Sequence, residues 1–302
     1  MSTIFSPNSP TANPTAPNAA EVRGTQDYLL DVLAEKIEQR TMMRFAIDRR
    51  NHFINTVAAR ARAIAEGDMA AYLHKVLLPS SEAEFMALID DLTINETTFF
   101  RNVPQMNLFS RVVIPEIMAR KGQVRGPKRL DVWSAACSTG QEAYTLAILA
   151  YEALRFVPEW GVRVHATDIS PTVVEAARRG VYPRARLDTM PADILKRYFE
   201  DAGEEIRIKD SLRQMVNFQQ HNLREAFPAQ TFDVIFCRNV MIYFSREDQA
   251  QLARRFNERL APEGFLFIGH SESLQGLDVD FRLRLQDGGV AYQRSPESGT
   301  TK

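Results

Sequence analysis

A chain of 302 residues with 45% apolar and 25% charged positions has room for one large globular domain or two smaller ones. Its formal net charge of −1 excludes a global field that would draw it to nucleic acid or to an anionic membrane surface, so any recognition by charge must be local. The two cysteines, Cys137 and Cys237, lie apart in apolar runs without CxxC or Cys/His spacing, which argues against a metal site and for a reducing, cytoplasmic home.

Residues 1–22 are rich in Pro, Asn, Ser, Thr and Ala and read as a disordered tail. They lack the basic-then-apolar pattern of a signal peptide, and no later run approaches the ~18 apolar residues of a membrane span. Residues 23–94 hold good helix formers with breaks at Gly67 and at Pro79-Ser80-Ser81, and predict a helical domain of at least three or four helices. Within it, 44–65 is amphipathic: Phe53, Ile64, Val57, Ala61, Ile54, Ile47 and Ala58 share one face at 100° per residue. Arg44, Arg49, Arg60 and Arg62 lie on the other, and Arg50 falls on the apolar side and does not fit. Such a basic face is either solvated surface or a docking surface for an acidic partner. Residues 95–128 are left between this pattern and the next, and NETTFFR (95–101) at their start could open a helix capped by Asn95 or Thr97.

From Arg129 the pattern changes to strands alternating with helices. LDVWSAAC is followed by a helix from Gly140 to Leu154, VRVHATDI by a helix from Pro171 to Arg179, and FDVIFCRNVMIYF by a helix from Arg246 to Leu260 and the strand GFLFIGHS. This alternation over 129–294 predicts an α/β fold with a doubly wound, mainly parallel sheet. FRLRLQ and VAYQR, joined at Asp287-Gly288-Gly289, predict a closing hairpin. Residues 181–221 break the alternation with a short helix (Ala192 to Glu200), then EIRIKD and RQMVNFQQ around a turn near Asp210-Ser211, and read as a small inserted β subdomain. The chain from about Ser295 reads as a second tail.

The run DVWSAACSTGQEAYT is a strand, a turn of small residues and a helix, which lets the backbone approach a ligand at a helix N-terminus. Its one glycine, Gly140, is fewer than a pyrophosphate cofactor usually demands. Asp168 ends the next strand, 28 residues on, where a carboxylate can accept both hydroxyls of a ribose. The alternative task, capping the following helix, suits Ser170 before Pro171 better. Together these favour a nucleoside cofactor without pyrophosphate over NAD. Glu142 either serves the helix dipole or meets the ammonium of a methionine moiety. Arg238 and Asn239 interrupt an otherwise buried strand where strand ends face a ligand crevice, and such groups are costly unless paired. Tyr243 is equally compatible with plain core.

NETTFFR (95–101), VWSAACSTGQEAYT (132–145), ATDIS (166–170), FCRNVMIYF (236–244) and GFLFIGHSESL (264–274) together resemble the CheR-type chemotaxis receptor methyltransferases, and the resemblance runs from about residue 25 to 294. It implies a class I methyltransferase domain behind an all-α domain, with 95–128 as the linker between them, S-adenosylmethionine as cofactor and S-adenosylhomocysteine as product. It implies that Asn95, Thr97 and Arg101 reach the cofactor from the linker, that Glu142 holds the methionine amino group and Asp168 the ribose, and that Asn222 and Leu223 flank the adenine. Arg238, Asn239 and Tyr243 would line the reaction side. The implied reaction is the methylation of receptor glutamates, with Arg101 and Arg238 as candidate carboxylate holders and Tyr243 orienting. The partners would be the acidic cytoplasmic helices of methyl-accepting receptors, met through Arg44, Arg49, Arg60 and Arg62, with no nucleic acid, no membrane insertion and a monomeric enzyme. The short turn at Gly203 predicts independence from a receptor tail peptide. Rival readings are a small-molecule or RNA methyltransferase, a NAD enzyme and a non-catalytic receptor-binding module.

Overall fold

The computed structural model describes residues 19–45, 47–123, 126–187 and 190–295. The tail expected at 1–22 lies outside the described residues except for 19–22, which are helical, and that expected from 295 on lies outside them except for Ser295. Four helices come first: α1 (Ala19–Thr41), α2 (Ile47–Ile64), α3 (Met69–Leu77) and α4 (Glu82–Leu92). Gly67, at φ +89°, makes the turn between α2 and α3, and the side chain of Asp68 caps α3 by accepting from the Ala71 amide. Leu33, Ile37, Phe53, Val57, Tyr72 and Leu88 meet in one core, with Phe45 stacked on Phe53 at 4.7 Å. Arg50, the misfit of the amphipathic pattern, pairs with Asp31 of α1 at 2.7 Å.

A segment from Thr93 to Asn102 then crosses to α5 (Val103–Leu108), which runs through a π-helical turn (Phe109–Val113) into α6 (Ile114–Gly122). Pro115 accounts for the widened turn, because it lacks the amide that would continue the α-helical ladder. The strands and helices that follow are β1 (Lys128–Ala135), α7 (Gln141–Leu154), β2 (Trp160–Asp168), α8 (Pro171–Arg179), β3 (Val181–Pro183), α9 (Ala192–Tyr198), β4 (Phe199–Ala202), β5 (Glu205–Ile208), α10 (Asp210–Arg213), β6 (Val216–Gln220), β7 (Phe232–Cys237), α11 (Arg246–Arg259), β8 (Leu260–Ile268), β9 (Phe281–Gln286) and β10 (Gly289–Arg294). Seven of the strands form one sheet in the order β6-β2-β1-β7-β8-β10-β9. The first five run parallel, and β10 is antiparallel to both its neighbours. The β9–β10 turn places Asp287 and Gly288 both at positive φ, as a two-residue hairpin requires.

The boundary of the inserted subdomain differs from the sequence expectation. The small antiparallel sheet is β3-β5-β4, and its hairpin closes at Gly203 (φ +81°), so the insertion spans 181–208. The second expected strand, RQMVNFQQ, belongs to the main sheet, where Val216–Gln220 pair in parallel register with Val164–Asp168 of β2. Its alternation of buried and exposed residues is that of a strand covered on one face, which the sequence pattern alone assigns to either sheet. The expected turn at Asp210-Ser211 is the short helix α10.

One core layer packs α5 to α7 onto the main sheet, with Phe236 stacked on Phe267 at 4.3 Å. The other gathers Trp133, Phe232, Phe227 and Phe256 beneath α11. His165 is buried against Trp133 and Phe232, and burial, reinforced by His221 and Arg163, pushes its pKa down to about 4. A folded-state value below the ordinary one means that the fold holds the neutral imidazole. The associated stability is intact above pH ~6.5 and is lost as pH falls toward 4. Chemical denaturation should therefore find the chain weaker at pH 4.5 than at pH 7, with His165 contributing up to about 3 kcal/mol, and His165→Gln should flatten that dependence. An unchanged pH profile in the variant would contradict this assignment.

Candidate active site

The strand order reverses at β1. The chain moves outward through β2 to β6 on one side and returns to lay β7 on the other, so the carboxyl ends of β1 and β7 frame a crevice at a topological switch point. Beyond β1, Ala136 and Cys137 donate their amides to the Thr167 carbonyl (2.8 and 2.9 Å), which wraps the turn around the end of β2. Ala136, Ser138 and Gly140 all take positive φ. At Gly140 a Cβ would lie 2.8 Å from that of Ala177, so this glycine serves the close approach of α7 to α8.

Asp168 is buried at the end of β2 and lines the resulting cavity. Its two oxygens accept from the Ser138 amide (2.8 Å) and the Ser170 amide (3.1 Å). The Ser170 hydroxyl caps α8 by accepting from the Val173 amide, as the sequence suggested. Burial raises the pKa of Asp168 against the lowering effect of those amides.

Glu142, in the first turn of α7, accepts from the Ser134 hydroxyl (2.8 Å) and from Nη1 of Arg238 (3.2 Å). Burial raises its pKa, and the Arg238 guanidinium opposes that rise. Arg238 is the first residue beyond β7 and donates through Nη2 to the carbonyl of Arg101 (2.8 Å). Two arms of its fork are thus committed inside the protein. While lining the cavity, this side chain ties β7, α7 and the linker segment together.

NETTFFR lies over the crevice as a strap. The Asn95 carbonyl accepts from the Ser138 hydroxyl (3.2 Å), and the Phe100 amide donates to the Thr145 hydroxyl (3.1 Å). Phe99 meets the edges of Tyr182 and Phe199 in the small sheet, and Arg101 donates to the Glu96 carbonyl (3.0 Å). The helical domain closes the other side. The Arg44 amide donates to the Tyr243 carbonyl (2.9 Å), Arg49 stacks over the Tyr243 ring at 3.9 Å, and Asp90 of α4 meets the Ser170 hydroxyl. Burial raises the Tyr243 pKa, so the phenol stays protonated.

All ten of the expected catalytic and cofactor residues, Asn95, Thr97, Arg101, Glu142, Asp168, Asn222, Leu223, Arg238, Asn239 and Tyr243, line this one cavity, which measures about 1170 Å³ out to its open mouth. The side chain of Asn222 is turned from it to the Arg40 carbonyl (2.8 Å) and the Arg224 amide. The basic face of the amphipathic segment does not stay together. Arg44 precedes α2, and it and Arg49 line the cavity. Arg60 is folded onto Glu84 (2.6 Å) and Asp91 (3.1 Å) inside the helical domain, while Arg62 is exposed, as is Arg44, which pairs with Glu38 at 3.0 Å. The helical wheel placed all four on one face because it carries no record of which neighbours cover that face. Sequence reasoning also passed over Ser134, which bonds Glu142, and Glu272 and Thr145, which act through hydrogen bonds between distant segments. Among the described residues there is no cluster able to hold a metal ion, and no helix is long and apolar enough to cross a membrane.

A parallel sheet with reversed order at β1, a glycine-poor first turn and a carboxylate ending the second strand define a class I methyltransferase built for a nucleoside cofactor. Residues 95–288 match the model of the CheR methyltransferase SAM-binding domain, and the chain belongs to that family. It is similar to the chemotaxis protein methyltransferase of Salmonella typhimurium, 37% identical over 84% of this chain and 86% of the relative. The chemotaxis protein methyltransferase of Escherichia coli K12 is 35% identical over 84% and 87%. Chemotaxis protein methyltransferase 2 of Pseudomonas aeruginosa is 38% identical over 79% and 84%. The chain is a methyltransferase, and its cofactor is S-adenosylmethionine.

Asp168 offers each oxygen one further lone pair beyond the two amide contacts. Asp168→Ala should weaken S-adenosylhomocysteine binding by at least ~1–2 kcal/mol, about tenfold, measured by isothermal titration. Unchanged affinity would remove Asp168 from the cofactor site.

Proposed function

We propose that this methyltransferase esterifies glutamate side chains in the cytoplasmic helices of methyl-accepting chemotaxis receptors, working in the cytoplasm as a monomer. The observation that carries this reading is the composition of a single cavity. It joins two buried carboxylates, Asp168 and Glu142, to a protonated phenol flanked by Arg49 and Arg101. The first pair suits a ribose and an ammonium group, and the second set suits an incoming carboxylate.

In this reading Asp168 holds the ribose hydroxyls, and Glu142 uses its remaining lone pairs for the methionine amino group. Asn95, Thr97 and Arg101 close over the cofactor from the strap, with Asn239 beside it. Leu223 and the backbone of Asn222 flank the adenine, since the Asn222 side chain is engaged elsewhere. The bound cofactor supplies an electrophilic methyl group on a sulfonium. A glutamate carboxylate is already ionised at neutral pH, so no general base is required. The protein's work is alignment and exclusion of water. Arg101 presents a planar fork to the acceptor carboxylate, and the Tyr243 hydroxyl donates a hydrogen bond to it. Arg238 keeps its partners and holds both the strap and Glu142 in place.

Acidic receptor helices would approach the mouth of this cavity, where Arg44 and Arg49 add positive charge, with Arg62 beyond it. Arg60 contributes by keeping the helical domain folded. The single-glycine hairpin at Gly203 supports independence from a receptor tail peptide. A non-protein acceptor is disfavoured because a whole helical domain with cationic side chains borders the opening.

Tritiated S-adenosylmethionine and receptor-bearing membranes test the reading. The label should enter the receptor in a base-labile form and leave as volatile methanol, as a carboxyl ester does. A base-stable label, or labelling that persists when the receptor's acceptor glutamates are replaced by alanine, would contradict glutamate as the acceptor.

A further inference from the structure

The loop after β7 carries Arg238, Asn239 and Tyr243 to the cavity, yet its own hydrogen bonding is incomplete. Asn239 takes a left-handed φ of +60°. Beyond it Met241–Tyr243 form a single 3-10 turn, in which the Tyr243 amide donates to the Val240 carbonyl. The amides of Asn239 and Ile242 have no carbonyl partner within that turn. Both donate to Glu272, the first to Oε2 and the second to Oε1, each at 3.1 Å. Oε2 also accepts the amide of Gly269, the residue that follows β8. Glu272 therefore bridges the ends of the adjacent strands β7 and β8 with one carboxylate, without itself lining the cavity.

Gly269 is part of the same arrangement. A Cβ there would lie 2.7 Å from Glu272 Oε2 and 2.9 Å from the Asn239 amide nitrogen, so only glycine leaves room for the carboxylate. Hydrogen bonds from amides to a charged carboxylate are stronger than neutral ones, and three of them on one group fix a loop more tightly than packing alone. Arg238 has separate anchors in Glu142 and the Arg101 carbonyl, so the residues that depend on Glu272 are Asn239 and Tyr243.

We infer that Glu272 is a positioning residue for methyl transfer: it sets the loop from Asn239 to Tyr243 from behind, while the helical domain sets it from the front through Arg44 and Arg49. The inference rests on the assignment of Tyr243 to the acceptor side. Its consequence is a split between turnover and product binding, because Asp168, Glu142 and the strap are held without Glu272.

The test uses the full chain with Glu272→Gln, which keeps size but turns one oxygen into a donor facing an amide, and Gly269→Ala, which displaces the carboxylate. Hydrogen exchange of the segment 238–244, product titration and receptor methylation are read on the same samples. The expected result in both variants is faster exchange in that segment and a kcat at least tenfold lower, with a clearly smaller loss of S-adenosylhomocysteine affinity, confined to the contact beside Asn239. Unchanged exchange would overturn the inference, as would faster exchange with unchanged kcat. A fall in kcat matched by an equal fall in product-binding fraction would also overturn it, since that is the mark of simple unfolding. If the parent chain itself methylates no receptor, the proposed acceptor is wrong. The exchange and titration arms then still decide whether Glu272 holds the loop.

Discussion

The buried ion pair between Glu142 and Arg238 is the constraint around which the site is assembled. Two charges taken out of water are stable only when each finds close partners. The partners here are the Ser134 hydroxyl for Glu142 and the Arg101 carbonyl for Arg238. These groups come from the consecutive elements β1 and α7, from the loop after β7 and from the strap. Satisfying the pair brings them to one point at the switch of strand order, and the cavity is the space they leave. Lifting the strap would take the Arg101 carbonyl from the Arg238 Nη2 donor, so closure of the crevice and satisfaction of the pair go together.

The electrostatics of the open cavity fit a cationic occupant. Burial raises the pKa of both Glu142 and Asp168, so the fold holds these carboxylates against their preference for water. An ammonium group near Glu142 would relieve that cost, and a cofactor with a positive sulfonium suits the same surroundings. On the acceptor side the sign is reversed. Arg49 and Arg101 lie near Tyr243, and an anionic side chain is the complementary guest. The helical domain thus supplies part of the cavity wall, through Arg49 and His52.

Much of this was legible in the sequence, where chemistry and position coincide locally. Ser170-Pro171 announced the start of α8, Asp287-Gly288 the closing hairpin, and Asp168 its place at a strand end. Glu142, Asp168 and Arg238 gathered in one cavity because each sits at the end of an element whose periodicity is unambiguous. What stayed hidden depends on tertiary partners. β6 joins the main sheet, although its pattern fits an inserted hairpin equally well. Arg60 looks like a surface charge on a helical wheel until Glu84 and Asp91 are placed beside it. Arg238 has the chemistry of a carboxylate holder, and the sequence does not show that one arm of its fork meets a glutamate 96 positions away and another the Arg101 carbonyl. Glu272 could be suspected only from its place in the GHSESL run, because its partners are backbone amides that no side-chain pattern reveals.

A double-mutant cycle on product binding addresses the central claim, that Glu142 and Arg238 act as one unit in building the cofactor site. Titration of S-adenosylhomocysteine against the parent chain, Glu142→Gln, Arg238→Met and the double variant measures their coupling. The account gives strongly non-additive losses, with Arg238→Met costing little further affinity once Glu142 is neutral and a coupling on the order of 1–3 kcal/mol. Losses that simply add would mean that the two residues serve the ligand independently, and the ion pair would no longer explain the site.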